Sequence, residues 1–206
     1  MLVFLILGIT LGFSAAVMPG PLSTYLISQT LKNGWRHTLP AAFSPLISDG
    51  PIAVVVLLVL SHLTTWLEQA LRFSGGFFLL YLAVAAMKSW WNYYSKEPAA
   101  VRSSQQSVLN AAVVNWLNPN PYLGWSLILG PLLLKGWREA PANGIVLLLG
   151  FYGAMIACTM GIIMIFGAAR NIGPKVNRTL IGVSAVALAC FGFYQLWLGT
   201  VTYFSK

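Results

Sequence analysis

The chain has 206 residues, of which 58% are hydrophobic and only 8% charged, with a formal net charge of +8. A soluble domain usually carries about 25% charged residues, so the composition excludes an ordinary soluble globule. The positive charge does not point to nucleic acid: the basic residues stand singly or in small groups between apolar runs, and they read as topology determinants and lipid-headgroup contacts.

Four stretches carry no charge at all: residues 1–31, 103–134, 140–169 and 179–205. Each exceeds the roughly 20 apolar residues that cross a bilayer. Backbone in lipid has to satisfy its own hydrogen bonds, so such runs become helices. The pattern predicts an all-α integral membrane protein with six transmembrane helices. In chain order they cover residues 2–31, interrupted by Pro19-Gly20-Pro21; 37–60; 71–91; 108–134, interrupted by "NPNP" at 118–121; 143–168; and 179–204. A polar linker, "SKEPAAVRSSQQS", fills 95–107. No basic residue precedes the first apolar run, so it is not read as a signal peptide. Trp35, Trp66, Trp90, Trp91, Tyr93, Tyr94 and Trp137 fall near span ends, where amphipathic rings favour the interface.

The chain repeats itself. Pro19 and Pro21 recur as Pro119 and Pro121, 100 positions later, and both runs close on Lys and Gly-Trp-Arg. Arg72, Gly76 and Trp91 recur as Arg178, Gly182 and Trp197, each 106 positions later. A single transmembrane domain, 1–206, therefore divides into a first repeat of about 1–94 and a second of about 108–206. Three spans per repeat is odd, so the second repeat enters the membrane the other way up. That is the inverted-repeat plan of many secondary transporters.

Two prolines around one residue should break or sharply kink a helix. At membrane depth a break is tolerated where it is buried in protein or lines a cavity. It exposes carbonyls on one side and the amides of a half-helix N-terminus on the other, which suit an anion. Matching breaks in the two halves point to a substrate site. The bland alternative is that the prolines only shape packing.

"FSPLISDGPIAVVV" places Asp49 inside the second span, flanked by Pro45 and Pro51. An intramembrane carboxylate is costly and usually functional. It could carry a proton or pair with a cargo ammonium group; the alternative is a span-edge position or a structural pair with Lys or Arg. Asn115, Asn118 and Asn120 surround the second break, and Ser14, Ser23 and Thr24 the first. Amides and hydroxyls suit a zwitterion, although helix–helix hydrogen bonds explain each one equally well.

Other features take a plainer reading. Glu68 and Arg72 are spaced for a surface pair. His62 has no partner in view. Gly182, Ser184, Ala185 and Ala189 suit close helix packing. Cys158 and Cys190 lie inside apolar segments, with no CxxC pair and no Cys/His cluster, so neither a disulfide framework nor a metal site is expected.

Three stretches carry a family resemblance: "GFSAAVMPGPLSTYLISQTLKNGWR", "LRFSGGFFLLYLAVAAMKSW" and "VLNAAVVNWLNPNPYLGWSLIL". Together they resemble the LysE/RhtB family of amino-acid exporters over nearly the whole chain. "ISDGPIA" is similar to the lysine-exporter branch, which carries a Ser-Asp pair in this span. The resemblance implies a small inner-membrane exporter of amino acids or similar polar metabolites, coupled to the proton gradient and working as a homodimer. It carries Pro19, Gly20, Pro21, Asp49, Asn118 and Pro119 over as site residues. The chain departs from the family at "WRHTLPAAFSPLISDGP", where Ala41 and Ala42 replace spaced glycines, and at the second proline, Pro121.

The expected site is therefore Pro19, Gly20, Pro21, Ser23, Asp49, Asn115, Asn118 and Pro119, in a transporter rather than an enzyme. No cofactor, metal or nucleic acid is expected; the partners are a small-molecule cargo, protons and the bilayer. Eight Lys and Arg residues fall in loops 1–2, 3–4 and 5–6 and four on the other side. The richer side should be cytoplasmic, with both termini outside. Competing readings are a metal or inorganic-ion exporter, a membrane thiol-disulfide carrier, and a structural or lipid-handling protein.

Overall fold

In a computed structural model, residues 1–58, 65–93, 104–170 and 172–204 are described. His62, Tyr94 and residues 95–103 of the linker lie outside these, as do the side chains of Trp66 and Glu68. Among the described residues the fold is all helical. Helices long and apolar enough to cross a membrane cover Trp35–Val56, Arg72–Trp91, Pro141–Arg170 and Pro174–Val201, and the bent pair Leu2–Val17 and Pro21–Asn33 is a candidate fifth span. The stretch from Ser104 to Glu139, which holds the fourth expected span, is divided into shorter helices and is not among them.

The first interruption follows from local stereochemistry. α1 (Leu2–Val17) stops because the residue before a proline is driven out of the helical region. Met18 accordingly has φ −59° and ψ 120°, and Gly20, ahead of Pro21, is fully extended. α2 (Pro21–Asn33) starts on Pro21, where a missing N–H costs nothing, and leaves α1 at an angle of 61°. It ends at Gly34, whose φ of +89° suits glycine.

The second expected span is irregular nearer its start than Asp49. α3 (Trp35–Thr38) gives way to a 3-10 turn at Leu39–Phe43 around Pro40, and α4 (Ser44–Leu58) then runs on with Pro51 inside it. α5 (Thr65–Trp91) is continuous. α6 (Ser104–Trp116) begins at Ser104, so the expected linker is too long at its end: Ser104, Gln105, Gln106 and Ser107 are helical.

α7 (Pro119–Gly124) follows the second interruption, where Asn118 takes an extended conformation ahead of Pro119. Pro121 makes no second break, because the first turn of a helix has no intrahelical use for that N–H. A π-helical segment, Trp125–Leu129, leads into α8 (Gly130–Glu139), followed by α9 (Pro141–Arg170) and α10 (Pro174–Phe204).

Two long pairs dominate the packing: α1 against α9 and α5 against α10. The first rests on glycine. Gly8 and Gly12, four apart on α1, face the backbone of Leu147 and Phe151 on α9, and Gly150 of α9 faces Leu5 and Ile9 of α1. A Cβ at Gly12 would collide with the Phe151 carbonyl. Such close approach replaces the hydrophobic drive that lipid does not provide. In the second pair Gly182 receives Trp90, and Ser184 and Ala185 are buried, as expected for a small-residue face. Basic side chains fasten the ends of α5: Lys32 donates to the Ala85 carbonyl at 3.1 Å, Arg178 lies 4.9 Å over the Trp90 ring, and Arg72 donates to Gln195 at 3.2 Å.

Gly12→Leu should lower the thermal stability of the detergent-solubilised protein by roughly 1–3 kcal/mol or prevent folding, the usual cost of overpacking. Gly153→Ala, where an added Cβ meets nothing, serves as the control and should leave the melting temperature unchanged.

Candidate functional site

Both interruptions open onto one cavity of about 300 Å³. Its walls come from the end of α1, the start of α2, the first turns of α4, the α6–α7 junction with the π-helical segment, and the middle of α9. Of the eight expected site residues, Pro19, Gly20, Pro21, Ser23, Asp49, Asn115 and Asn118 line it. Pro119 does not; its side chain is fully buried behind Asn118 in the chain. Ser14 and Asn120 are lining residues too, whereas Thr24 is not.

Asp49 is the chemical centre. It is only 4% exposed, and no Lys or Arg lines the cavity among the described residues. The Asn115 amide Nδ2 donates to Asp49 Oδ1 at 2.8 Å and to Ser48 Oγ at 2.7 Å. Ser48 Oγ in turn donates to the Ser44 carbonyl at 3.1 Å. The Tyr152 hydroxyl donates to Asp49 Oδ2 at 3.2 Å. Trp125 adds a weak contact to the same carboxylate, while its indole Nε1 has no partner at ordinary hydrogen-bond geometry. Asp49 is thus held from α6 and α9 by neutral donors, with no salt bridge to Lys or Arg among the described residues.

The breaks satisfy much of their own backbone. At the first, the Gly20 N–H donates to Ser23 Oγ at 3.0 Å, and the Ser23 hydroxyl donates back to the Gly20 carbonyl at 3.0 Å. At the second, Asn118 Oδ1 accepts from the Asn120 N–H at 3.1 Å, which leaves the Asn118 amide N–H₂ turned to other use. Tyr122 Oη donates to the Trp116 carbonyl at 3.0 Å and so covers an acceptor that the break had freed.

Tyr152, Trp125 and the α9 face of Phe151, Met155 and Thr159 were not expected at the site. Tyr152 carried one signal, a hydroxyl in an apolar run that had to find a partner, but nothing in its spacing named Asp49. Cys158 and Cys190 are free thiols on α9 and α10, and neither lines the cavity.

The LysE type translocator family matches the chain over residues 13–199. A protein of Bacillus subtilis (strain 168) named "Putative amino acid efflux protein YcgF" is 28% identical over 198 residues, covering 90% of this chain and 91% of its own length. No solved structure matches. With a family match that spans most of the chain, including both proline breaks and Asp49, the chain belongs to the LysE-type translocator family, a family of membrane transporters.

Proposed function

We propose that the protein is a secondary transporter that exports amino acids across a bacterial cytoplasmic membrane by alternating access. The observation that carries the reading is the meeting of two proline-broken helices and a buried carboxylate in one cavity. Family membership supports it, as does the efflux name of the Bacillus relative.

In this reading the interrupted stretch from Ser104 to Glu139 crosses the membrane as the fourth of six spans, and the two halves are inverted repeats. The packing supports that plan. The leading piece of each broken span lies on the middle helix of the other half: α1 on α9, and α6 on α4. At the α5–α10 contact Gly76 faces Leu196 and Gly182 faces Trp90. The steps from Gly76 to Gly182 and from Trp90 to Leu196 are both 106 positions, so one contact is the image of the other. Both termini lie outside, by the Lys and Arg bias of the loops, and two copies assemble, as the family resemblance implies.

The cargo carboxylate is held by donors at the two breaks, the Asn118 side-chain amide and the first-turn amides of Leu22 and Ser23 in α2. Asp49 receives its ammonium group or relays a proton. Rocking of the two halves then opens the site to either side in turn. Metal-ion export fits less well, because among the described residues the lining offers one carboxylate and neither His nor Cys. Thiol exchange would need a Cys pair at the breaks.

Asp49→Asn should abolish or decouple amino-acid efflux from dipeptide-loaded cells while the protein still folds and reaches the membrane. Efflux at the wild-type rate would sink the role given to Asp49. Cys158→Ala combined with Cys190→Ala should export at the full rate; loss of activity there would favour the thiol reading.

A further inference from the structure

The cavity also speaks about the cargo's side chain. Asp49 is the single charged group in its lining among the described residues. Most of the remaining wall is hydrocarbon, including Leu26, Ile128, Leu129, Phe151, Met155 and Ile162. The polar groups gather near the breaks: Asn115 bonds Asp49, and Asn118 follows one turn later. Ser14, Ser23 and Asn120 flank the same two interruptions. Thr159 is the one polar lining residue on the α9 face. A volume of about 300 Å³ falls at the small end of ligand cavities, roughly 300–1,000 Å³, which suits one amino acid.

We infer that the cargo is a neutral amino acid with a bulky apolar side chain, of the leucine, methionine or phenylalanine type, and not a basic or acidic one. The inference rests on the exporter reading above. The ammonium and carboxylate of such a zwitterion find partners at Asp49 and the breaks, and its side chain removes apolar wall from water. Lysine or arginine brings a second cation, and the lining has no second carboxylate to meet it. Glutamate brings a second anion with no Lys or Arg to receive it. A buried charge without a partner costs far more than a lost apolar contact returns. The Ser48–Asp49 pair therefore does not make this a lysine site, although its sequence context is similar to the lysine-exporter branch. Asp49 already serves the ammonium group that every amino acid has.

Thr159 gives the inference a gain-of-function test. A carboxylate there would supply the missing second anion on the apolar face. The experiment loads proteoliposomes of the full chain with leucine, methionine, phenylalanine, lysine, arginine and glutamate together and follows each in the medium. Wild type should release the three apolar amino acids roughly tenfold or more faster than the charged ones, within the range over which apolar pockets discriminate. Thr159→Asp should raise lysine release relative to leucine by a similar factor. If wild type releases lysine, arginine or glutamate as fast as leucine, the inference is wrong and the exporter reading stands. If folded wild type releases no amino acid at all, both fall. A folded Thr159→Asp with unchanged preference would overturn the assignment of the α9 face as the side-chain wall. If that variant does not fold, ligand-induced thermal stabilisation of wild type decides: leucine should stabilise it at concentrations where lysine does not, and the reverse order overturns the inference.

Discussion

Asp49 sits in an apolar helical body with no Lys or Arg beside it among the described residues, and most of the architecture around the cavity follows from keeping it there. A carboxylate at the centre of a membrane helix costs on the order of 3 kcal/mol on insertion scales. Here it is met by two neutral donors, Asn115 from α6 and Tyr152 from α9. Each donor makes a demand on the fold. Asn115 has to stand one turn ahead of the second break, with Ser48 accepting its other amide hydrogen. Tyr152 reaches Asp49 from α9, which lies close along α1 through Gly8, Gly12 and Gly150. Neutral donors hold the group without cancelling its charge, so it keeps the capacity to bind a cation or a proton.

The two breaks are the second half of this arrangement. A continuous helix would present hydrocarbon side chains to the cavity. Interrupting it brings backbone groups and short polar side chains to the same place. The interruptions are not alike: the first is closed by a reciprocal Gly20–Ser23 pair, the second by Asn118 and Tyr122. Pro121 echoes Pro21 in the sequence, yet the second helix restarts on Pro119. Both breaks therefore open onto one cavity, while each satisfies its orphaned groups in its own way.

Much of this was legible from residues alone. Uncharged runs of about 30 residues became α9 and α10, because lipid leaves the backbone few alternatives to helix. The breaks were legible too, since proline disfavours helical backbone in the residue before it, and Met18, Gly20 and Asn118 all leave the helix. Asp49 stood out as the one acidic group deep in an apolar run. What spacing could not carry was contact between helices. Tyr152 and Asp49 are 103 positions apart, and nothing local marks Tyr152 as a partner. Nor does anything near Gly8 and Gly12 name Leu147 and Phe151 as the backbone they meet. The helical start at Ser104 was read as linker because "SSQQS" is polar, and a helix can extend past the hydrocarbon into a polar medium without changing period. The Ser104–Glu139 stretch, expected as one span, is divided into pieces each too short to cross alone, because an apolar run does not by itself show where its helix is interrupted.

The most direct test of the cavity as the cargo site is protection from thiol labelling. In a background with Cys158 and Cys190 changed to Ala, single cysteines at Ser14 and Asn120, both on the cavity wall, would be compared with one at Ile172, an exposed position between α9 and α10 and away from it. Labelling rates with a small water-soluble alkylating reagent would be measured with and without saturating leucine. The account expects leucine to slow labelling at Ser14→Cys and Asn120→Cys and to leave Ile172→Cys unchanged. Rates at Ser14→Cys and Asn120→Cys that leucine does not change, in protein that still transports leucine, would contradict it.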